Sequence, residues 1–298
     1  MASLTLPFAA MASACEIHLE GAGTVVSLRG AALSAVAEVQ RIEAKYSRYR
    51  ADSILSRINA AAGTGRPLPV DSETAGLLDF AASLFQSSGG LFDITSGVLR
   101  RAWDFRCGRL PGEAALQALL PLIGWPQVRW ADGCVSLPRP GMEIDFGGFG
   151  KEYAADRAAT ALMEAGHRHG WVNLGGDIRV LGPRADGQPW RFGIRHPRQD
   201  RATIATVELV SGALATSGDY ERFLELDGKR YCHILNPLTG WPVQTWQSIS
   251  ATAPACVAAG ALTTIAMLKG LAAPAFLADQ QASYLAVDAT GRLLHHGF

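Results

Sequence analysis

The sequence predicts one α+β domain, residues 1–298, with a largely antiparallel sheet core and flanking helices. Helical patterns are concentrated in the first half of the chain, whereas short strand patterns dominate after residue 127. Hairpin turns rather than helices connect many of these strands, which is typical of an antiparallel sheet. No internal repeat or low-complexity linker divides the chain, so a single domain is expected.

The first half predicts helices separated by short breaks. A strand is expected near residues 14–28, and residues 30–50 then carry apolar side chains at helical spacing, namely Leu33, Val36, Val39, Ile42 and Tyr46. Asp52 and Ser53 are typical of the cap of a second short helix. A further helix is predicted over residues 72–88, ended by Gly89–Gly90, and a third lies around residues 113–123.

The second half predicts strands and one long helix. Strands are expected in "QVRWADGCVSL", which contains a turn at Asp132–Gly133, in "MEIDF", and on both sides of the glycines in "WVNLGGDIRVLG". Four more segments have strand patterns: "WRFGIRHP", "ATVELVSGALATS", "RFLELDGKRYCHIL" and "SISATAP". Asp227–Gly228 is a strong two-residue hairpin signal. Residues 256–270 predict the last major helix, followed by two short strands.

Composition excludes several classes of function. The net charge is zero, so neither nucleic acid nor an anionic membrane surface is an expected partner. The five cysteines are scattered without a CxxC pair, which favours free thiols in a reducing compartment. No uninterrupted apolar run reaches the ~18–20 residues of a membrane-spanning helix. The N-terminus has no basic residue before Cys15, which favours the cytoplasm, and a periplasmic or membrane-anchored location is the alternative.

The stretch "IDFGGFGKEYAADRAATAL", residues 144–162, joins an apolar segment to a helix through three glycines. It fits neither the GxxxxGK[ST] nor the GxGxxG pattern. Residues without Cβ let the backbone approach a ligand closely, and the start of a helix attracts phosphate. Lys151 adds a positive charge there. A tight turn without a ligand would explain the same pattern.

Five blocks occur in order along the chain: "GGLFDITSGVLRRAWDF", "IDFGGFGKEYAADRA", "VNLGGDIRVLG", "ATSGDYERFLELDGKRYCHILNPLTGWPV" and "AGALTTIAMLKG". This succession closely resembles the ApbE family of FAD:protein FMN transferases, from about Met11 to about Gly270. The resemblance implies magnesium-dependent cleavage of FAD, transfer of FMN to a Ser or Thr hydroxyl of an acceptor protein, and release of AMP. The cofactors it implies are therefore FAD, as substrate, and Mg²⁺.

The resemblance also implies roles for individual residues. Asp145 and Lys151 match FAD contacts, and Gly148 matches a residue whose carbonyl binds magnesium. Further cofactor positions are Met11, Tyr49, Leu91, Phe92, Asp93 and Ile234. Alternatively, Asp145 only caps the turn, Lys151 is a solvated surface charge, and Tyr49 and Phe92 are ordinary core aromatics.

His233 is the best candidate for a catalytic base, because it is the only histidine inside one of these blocks and imidazole titrates near neutral pH. A structural histidine that donates to a backbone carbonyl is the alternative. The segment Thr216–Tyr220 is expected to form a turn beside the site, with Ser217 and Asp219 as polar groups.

The last block departs from the family pattern. The family has A-D-A-L-x-T, whose Asp and Thr bind magnesium, whereas this chain has "AGALTT", with Thr264 in place but Gly260 at the aspartate position. Glu152 stands where the family has Gly after the lysine. Either Glu152 or Asp219 supplies the missing charge, or the metal binds only together with FAD, or the chain binds FAD without catalysis. An FAD pyrophosphatase is a further possibility. On this interpretation, Gly260→Asp is expected to tighten metal binding.

Overall fold

The structure, a computed structural model, describes all residues 1–298. Its fifteen strands are β1 (Ala2–Ala10), β2 (Ser13–Gly21), β3 (Leu68–Pro69), β4 (Arg129–Ala131), β5 (Cys134–Ser136), β6 (His169–Leu174), β7 (Asp177–Gly182), β8 (Trp190–Arg195), β9 (Thr203–Leu209), β10 (Gly212–Gly218), β11 (Phe223–Leu226), β12 (Lys229–Cys232), β13 (Trp246–Ala253), β14 (Ser283–Asp288) and β15 (Leu293–His296). Its α-helices are α1 (Val25–Tyr46), α2 (Ile54–Ala60), α3 (Ser72–Ser88), α4 (Glu113–Leu119), α5 (Gly150–Glu164), α6 (Cys256–Lys269) and α7 (Ala273–Asp279). The longest 3₁₀ helix is Ile94–Arg101.

Eight strands form one sheet in the order β1-β2-β6-β7-β10-β13-β14-β15. Each neighbouring pair in this sheet is antiparallel. The other strands form small sheets, including the β8–β9 and β11–β12 hairpins. The predicted α+β class with an antiparallel core is therefore confirmed.

Both faces of the large sheet are covered. Helices α1, α5 and α6 contact one face, and α5 lies between α1 and α6, against β7. The β8–β9 hairpin packs on the other face through a separate apolar cluster that includes Ile178, Trp190, Phe192 and Leu285. The helical face therefore holds the start of α5, where the glycine-rich turn lies.

The N-terminal prediction needs correction. Residues 2–10 form an edge strand that pairs along its full length with β2, so two strands replace the single strand expected near residues 14–28. Pro7 weakens the strand signal, but an edge strand tolerates proline because one of its sides has no sheet partner. In α1, Val36, Val39, Ile42 and Tyr46 are buried as predicted, whereas Leu33 is 50% exposed.

The predicted strand "MEIDF" is wrong, because this segment lies outside the sheets. The Asn59 side chain bonds both backbone groups of Ile144, accepting from its N–H at 2.8 Å and donating to its carbonyl at 3.0 Å. The Asp145 N–H donates to the Ile94 carbonyl at 2.8 Å. These partners replace a neighbouring strand, so the segment is buried and hydrogen-bonded without joining a ladder.

The segment Cys256–Asp279 is long and apolar enough to cross a membrane, with a mean hydropathy of 1.6. In the structure it consists of α6, a short 3₁₀ turn and α7, and it contributes many residues to the main core. The core helix of a globular protein meets the same criteria of length and composition. The burial of this segment in the main core is therefore weakly consistent with the prediction of no membrane segment. All five cysteines are free thiols, and three of them are buried.

Candidate functional site

The glycine-rich turn is held between two buried aromatic anchors, Phe146 and Phe149. The Phe146 carbonyl accepts hydrogen bonds from the N–H groups of Phe149 and Gly150, at 3.0 and 2.6 Å, which starts α5. A Cβ atom at Gly148 would lie 2.8 Å from the Phe92 ring, so only glycine lets the backbone rest on that ring. No side chain caps the start of α5. The N–H groups of Lys151 and Glu152, which follow Gly150 in the first turn, are therefore free to bind an anion.

Lys151, in the first turn of α5, is partly buried and forms an ion pair with Asp177 at the start of β7. Asp177 is 4% exposed, and its other oxygen accepts a hydrogen bond from the Thr216 N–H at 3.1 Å. The alternative of a solvated surface charge therefore does not hold for Lys151. Asp177 is not among the residues predicted from the sequence, although an acidic residue directly after Gly175–Gly176, at the start of a strand, points to this position.

A cluster of hydroxyl groups joins β10 to α6 beside this ion pair. Ser217 Oγ lies 2.9 Å from Thr263 Oγ1 and 3.1 Å from Thr264 Oγ1. Its neighbour Thr216 bonds Asp177, so the Lys151 ion pair connects to Thr264 through adjacent residues of β10. The start of α5 and the threonine-bearing helix therefore lie in the same part of the molecule.

The side chain of Asp156 fixes the register of α5 against α6. Its two oxygens accept from the N–H groups of Cys256 and Val257, both at 2.8 Å, so a residue of α5 caps α6. One turn earlier on α5, Glu152 is 8% exposed and packs against Gly260, one turn further along α6. Gly260 contributes no side chain to a metal site, and its carbonyl accepts from the Thr263 hydroxyl at 3.0 Å.

Arg48, which is not among the residues predicted from the sequence, contacts both Asp145 and Tyr49. Arg48 forms an ion pair with Asp145, whose other oxygen accepts from the Gly147 N–H at 3.0 Å. Asp145 therefore caps the glycine-rich turn, which is the alternative role that the sequence left open for it. The Tyr49 ring is 79% exposed and lies 5.0 Å from the Arg48 guanidinium. Tyr49 is not a core aromatic, and its ring is free to pack on a flat ligand.

The run Leu91–Asp93 lies beneath the turn. Phe92 is 4% exposed and packs against Phe149, so its ring is a core aromatic. Asp93 caps the 3₁₀ helix Ile94–Arg101, accepting from Thr95 N–H at 2.8 Å, while its other oxygen accepts from Trp125 N–H at 2.8 Å. Leu91 is half-buried against the core. The Phe92 and Asp93 side chains therefore pack and hydrogen-bond within the protein, and their role as cofactor contacts stays a prediction.

Met11 lies in the tight turn between β1 and β2. Met11 and Ala12 have φ values of 51° and 56°, and the Met11 N–H donates to Glu43 Oε1 at 2.7 Å. The turn borders the site because a Cβ at Gly175 would lie 2.9 Å from Ser13 and 3.6 Å from the Lys151 side chain. The predicted N-terminal contact is therefore next to Lys151.

His233 follows β12 and is an exposed residue. Its backbone N–H and its ring Nδ1 both bond the Arg222 carbonyl, at 2.9 and 3.2 Å. Nδ1 must carry the proton for this bond, which leaves Nε2 able to accept a proton. Desolvation by the surrounding protein, together with the positive charges of Arg222 and Lys151, lowers the pKa of the His233 imidazole. The neighbouring Ile234 is buried, and its carbonyl accepts from the Val243 N–H.

Asp219 is already neutralised. Its two oxygens accept from the two terminal nitrogens of Arg198 at 2.7 and 2.6 Å, and Arg230 lies 3.8 Å away. A carboxylate held in this bidentate pair is a poor source of charge for a cation. Of the two residues that the sequence offered for this purpose, only Glu152 remains.

Comparison with known proteins agrees with this arrangement. The sequence model of the ApbE family matches residues 11–287. The chain belongs to the ApbE family. Among the relatives of this ApbE-family chain, a FAD:protein FMN transferase of Treponema pallidum is 32% identical over 277 residues, 86% of this chain and 76% of that protein. A Vibrio cholerae FAD:protein FMN transferase is 29% identical over 289 residues, 91% of this chain and 86% of that protein.

The fold of this ApbE-family chain also matches a solved structure. The crystal structure of the ApbE protein from Thermotoga maritima has a TM-score of 0.91 and 30% sequence identity, covering 99% of this chain and 97% of that one. The resemblance inferred from the five sequence blocks is therefore confirmed.

Proposed function

We propose that this protein is a FAD:protein FMN transferase that depends on a divalent cation. The observation that carries the proposal is the cluster of ammonium, carboxylate and hydroxyl groups around the uncapped start of α5, contributed by Lys151, Glu152, Asp177, Ser217 and Thr264. Such a cluster provides the charge and hydrogen bonds that phosphoryl transfer requires. Membership of the ApbE family and the names of the relatives support the same reaction.

Two groups of residues bind different parts of FAD, one the pyrophosphate and the other the flavin. Lys151 and the free N–H groups of the first turn of α5 bind the pyrophosphate, because they provide positive charge and hydrogen-bond donors. The exposed Tyr49 ring, near Asp145, and the Met11 turn, next to Lys151, contact the flavin. Asp145 keeps Arg48 beside the Tyr49 ring.

The reaction replaces the phosphoanhydride bond within FAD with a phosphoester bond to the acceptor. The acceptor Ser or Thr oxygen bonds to the phosphorus of the FMN moiety, the pyrophosphate bond to AMP breaks, and AMP leaves. Nε2 of His233 takes the proton of the acceptor hydroxyl. His233 is suited to this role because its Nδ1 is bound to the Arg222 carbonyl and its Nε2 is free of that bond.

The residues at the site fit a divalent cation of the magnesium type. The Thr264 hydroxyl, the Gly148 carbonyl and a carboxylate would provide hard oxygen ligands, and Mg²⁺ in phosphate sites uses few protein ligands. One buried carboxylate oxygen in this cluster has no hydrogen-bond partner. When bound, the cation neutralises charge on the phosphates. The prediction that the protein acts in the cytoplasm stays a prediction.

The test incubates the full chain with FAD, Mg²⁺ and a Ser/Thr-containing acceptor protein. We expect AMP release together with a covalently fluorescent acceptor, and loss of both when EDTA is added. Release of free FMN without labelled acceptor would instead indicate a pyrophosphatase. FAD binding without any AMP, with each divalent cation tried, would identify a non-catalytic flavin-binding protein and would contradict the proposal.

A further inference from the structure

We infer that Glu152 is the charged protein ligand of the divalent cation, in place of the aspartate that the family carries at the position of Gly260. This inference rests on the proposed function and deepens it. Glu152 and Gly260 are the two departures from the family pattern in "GKEY" and "AGALTT". The fold places these two departures in direct contact, which sequence distance alone does not reveal.

The two positions exclude each other sterically. A Cβ atom at Gly260 would lie 2.6 Å from Cγ and 2.9 Å from Oε1 of Glu152. The Glu152 side chain therefore fits only because residue 260 has no side chain. The Glu152 side chain, which belongs to α5, occupies the space into which a side chain at position 260 of α6 would project. One carboxylate, that of Glu152, therefore lies between the two helices at this point.

Glu152 presents an unpaired oxygen. The residue is 8% exposed, and its Oε2 is buried without a hydrogen-bond partner. Its Oε1 is 3.8 Å from Lys151 Nζ, which is longer than a hydrogen bond. A buried carboxylate oxygen is unfavourable without a partner, and a bound cation would provide one.

The other carboxylates near the site have partners. Asp177 pairs with Lys151 and accepts from Thr216, Asp219 is in its bidentate pair, and Asp145 pairs with Arg48. The chain contains no group of three or more His, Cys, Asp or Glu side chains that could hold a metal by themselves. A single carboxylate supplemented by hydroxyl, carbonyl and phosphate oxygens is therefore the arrangement that this site offers, and it suits Mg²⁺.

The hydroxyl of Thr264 lies one turn beyond Gly260 on the same side of α6. The register that Asp156 sets at the start of α6 places Glu152 against Gly260, one turn before Thr264. Glu152 therefore lies close to Thr264, and Gly148 lies four residues before Glu152 in the chain, at the same end of α5.

To test this inference, Mn²⁺ is titrated into the full-length protein, with and without FAD, and the concentration of free Mn²⁺ is measured by electron paramagnetic resonance. We expect Glu152→Gln, which preserves the size of the side chain, to weaken Mn²⁺ binding by more than about tenfold. Glu164→Gln is the matched control, because Glu164 is an exposed residue in the last turn of the same helix. This control is expected to bind Mn²⁺ like the unchanged protein.

A swap variant makes the result independent of how well Glu152→Gln folds. Glu152→Gly combined with Gly260→Asp restores the family pattern and is expected to recover Mn²⁺ affinity to within about threefold. Gly260→Asp alone is expected to weaken binding rather than tighten it, because the new side chain collides with Glu152. This reverses the expectation drawn from the sequence.

Equal Mn²⁺ affinity of Glu152→Gln and the unchanged protein would overturn the inference, as would a swap variant that binds no Mn²⁺ although it is folded. The proposed function is tested separately by AMP release. If FMN transfer depends on the metal but is unaffected by Glu152→Gln, the proposed function is retained and Glu152 is rejected as the metal ligand. If Mn²⁺ binding depends on Glu152 but no FMN transfer occurs, Glu152 is retained as the metal ligand and the proposed function is rejected.

Discussion

Single residues around the turn are held in pairs of opposite charge. Lys151 pairs with Asp177, and Arg48 pairs with Asp145, and each pair has a member in or next to the glycine-rich segment. Removing one member of a buried pair leaves its partner without compensation, which costs more than the pair contributes. Effects on ligand binding and on folding must therefore be separated for each substitution at the site.

Lys151→Ala is expected to weaken FAD binding about tenfold, which corresponds to ~1.4 kcal/mol, because a positive charge near the pyrophosphate is lost. It should also lower the free energy of unfolding, because Asp177 is 4% exposed and loses its partner. Calorimetric titration with FAD and denaturant unfolding measure the two effects.

The double variant Lys151→Ala/Asp177→Asn separates these effects, since it removes the uncompensated charge. We expect it to recover stability without recovering FAD affinity. Lys45→Ala is the matched control, because Lys45 of α1 pairs with Asp71 and Glu73 at the start of α3. FAD affinity of Lys151→Ala equal to that of Lys45→Ala would place Lys151 outside the binding site.

His233→Asn is expected to bind FAD normally but to lose FMN transfer, because asparagine cannot take a proton from the acceptor hydroxyl. The lowered pKa of His233 means that its imidazole stays neutral below its ordinary pKa of 6.5. The rate of AMP release should therefore stay high as the pH falls to 6.5 and decline only at lower pH. A rate that already halves above pH 6.5 would argue against His233 as the base.

At the scale of secondary structure, the antiparallel contact between α5 and α6 organises the site. Alanines at positions 154, 155, 158 and 159 are buried, which lets α5 lie close to its neighbours. Asp156 then fixes how far one helix is shifted along the other. The α5 segment was predictable from its apolar spacing and the Gly-rich start, whereas its partner helix and the register were not.

Asp156→Ala is expected to lower the free energy of unfolding by about 1–2 kcal/mol through loss of the α6 cap. It should also weaken Mn²⁺ binding, because the register of Glu152 against Gly260 is no longer fixed. Ser53→Ala is the comparison variant, since Ser53 caps α2 with its side chain. It should reduce stability by roughly 1 kcal/mol and leave Mn²⁺ binding unchanged. If Asp156→Ala and Ser53→Ala bind Mn²⁺ with the same affinity, the cap that Asp156 provides to α6 does not position the metal site.

Across the whole molecule, one acidic residue connects three helices. Glu73 of α3 accepts from Arg41 and Lys45 of α1, each at 2.6 Å, and from the Tyr153 hydroxyl of α5 at 3.0 Å. Hydrogen bonds from Arg41, ahead of those from Lys45 and Tyr153, lower the pKa of Glu73 to about 2 against burial, which raises it. The first turn of α5 is therefore tied to the outer helices through Tyr153.

This shift predicts how stability depends on pH. Because the folded pKa of about 2 lies below the ordinary 4.5, the ionised Glu73 stabilises the fold above pH 4.5. This contribution is lost as the pH falls from 4.5 towards 2. The difference in unfolding free energy between the unchanged protein and Glu73→Gln, measured in denaturant, should therefore shrink between about pH 6 and about pH 3. A constant difference would mean that Glu73 does not carry this dependence.

By itself the sequence determined the class of fold, the boundaries of helices such as α3 and α6, the family, and the presence of Lys151, Gly148 and Thr264 in characteristic blocks. Local spacing and turn chemistry encode these features, so they can be recognised without knowing which segments meet. Tertiary structure alone decided that "MEIDF" bonds Asn59 instead of a strand, and that Asp177 pairs with Lys151. It also decided that Glu152 fills the space at Gly260, because contacts between distant segments depend on how the helices pack.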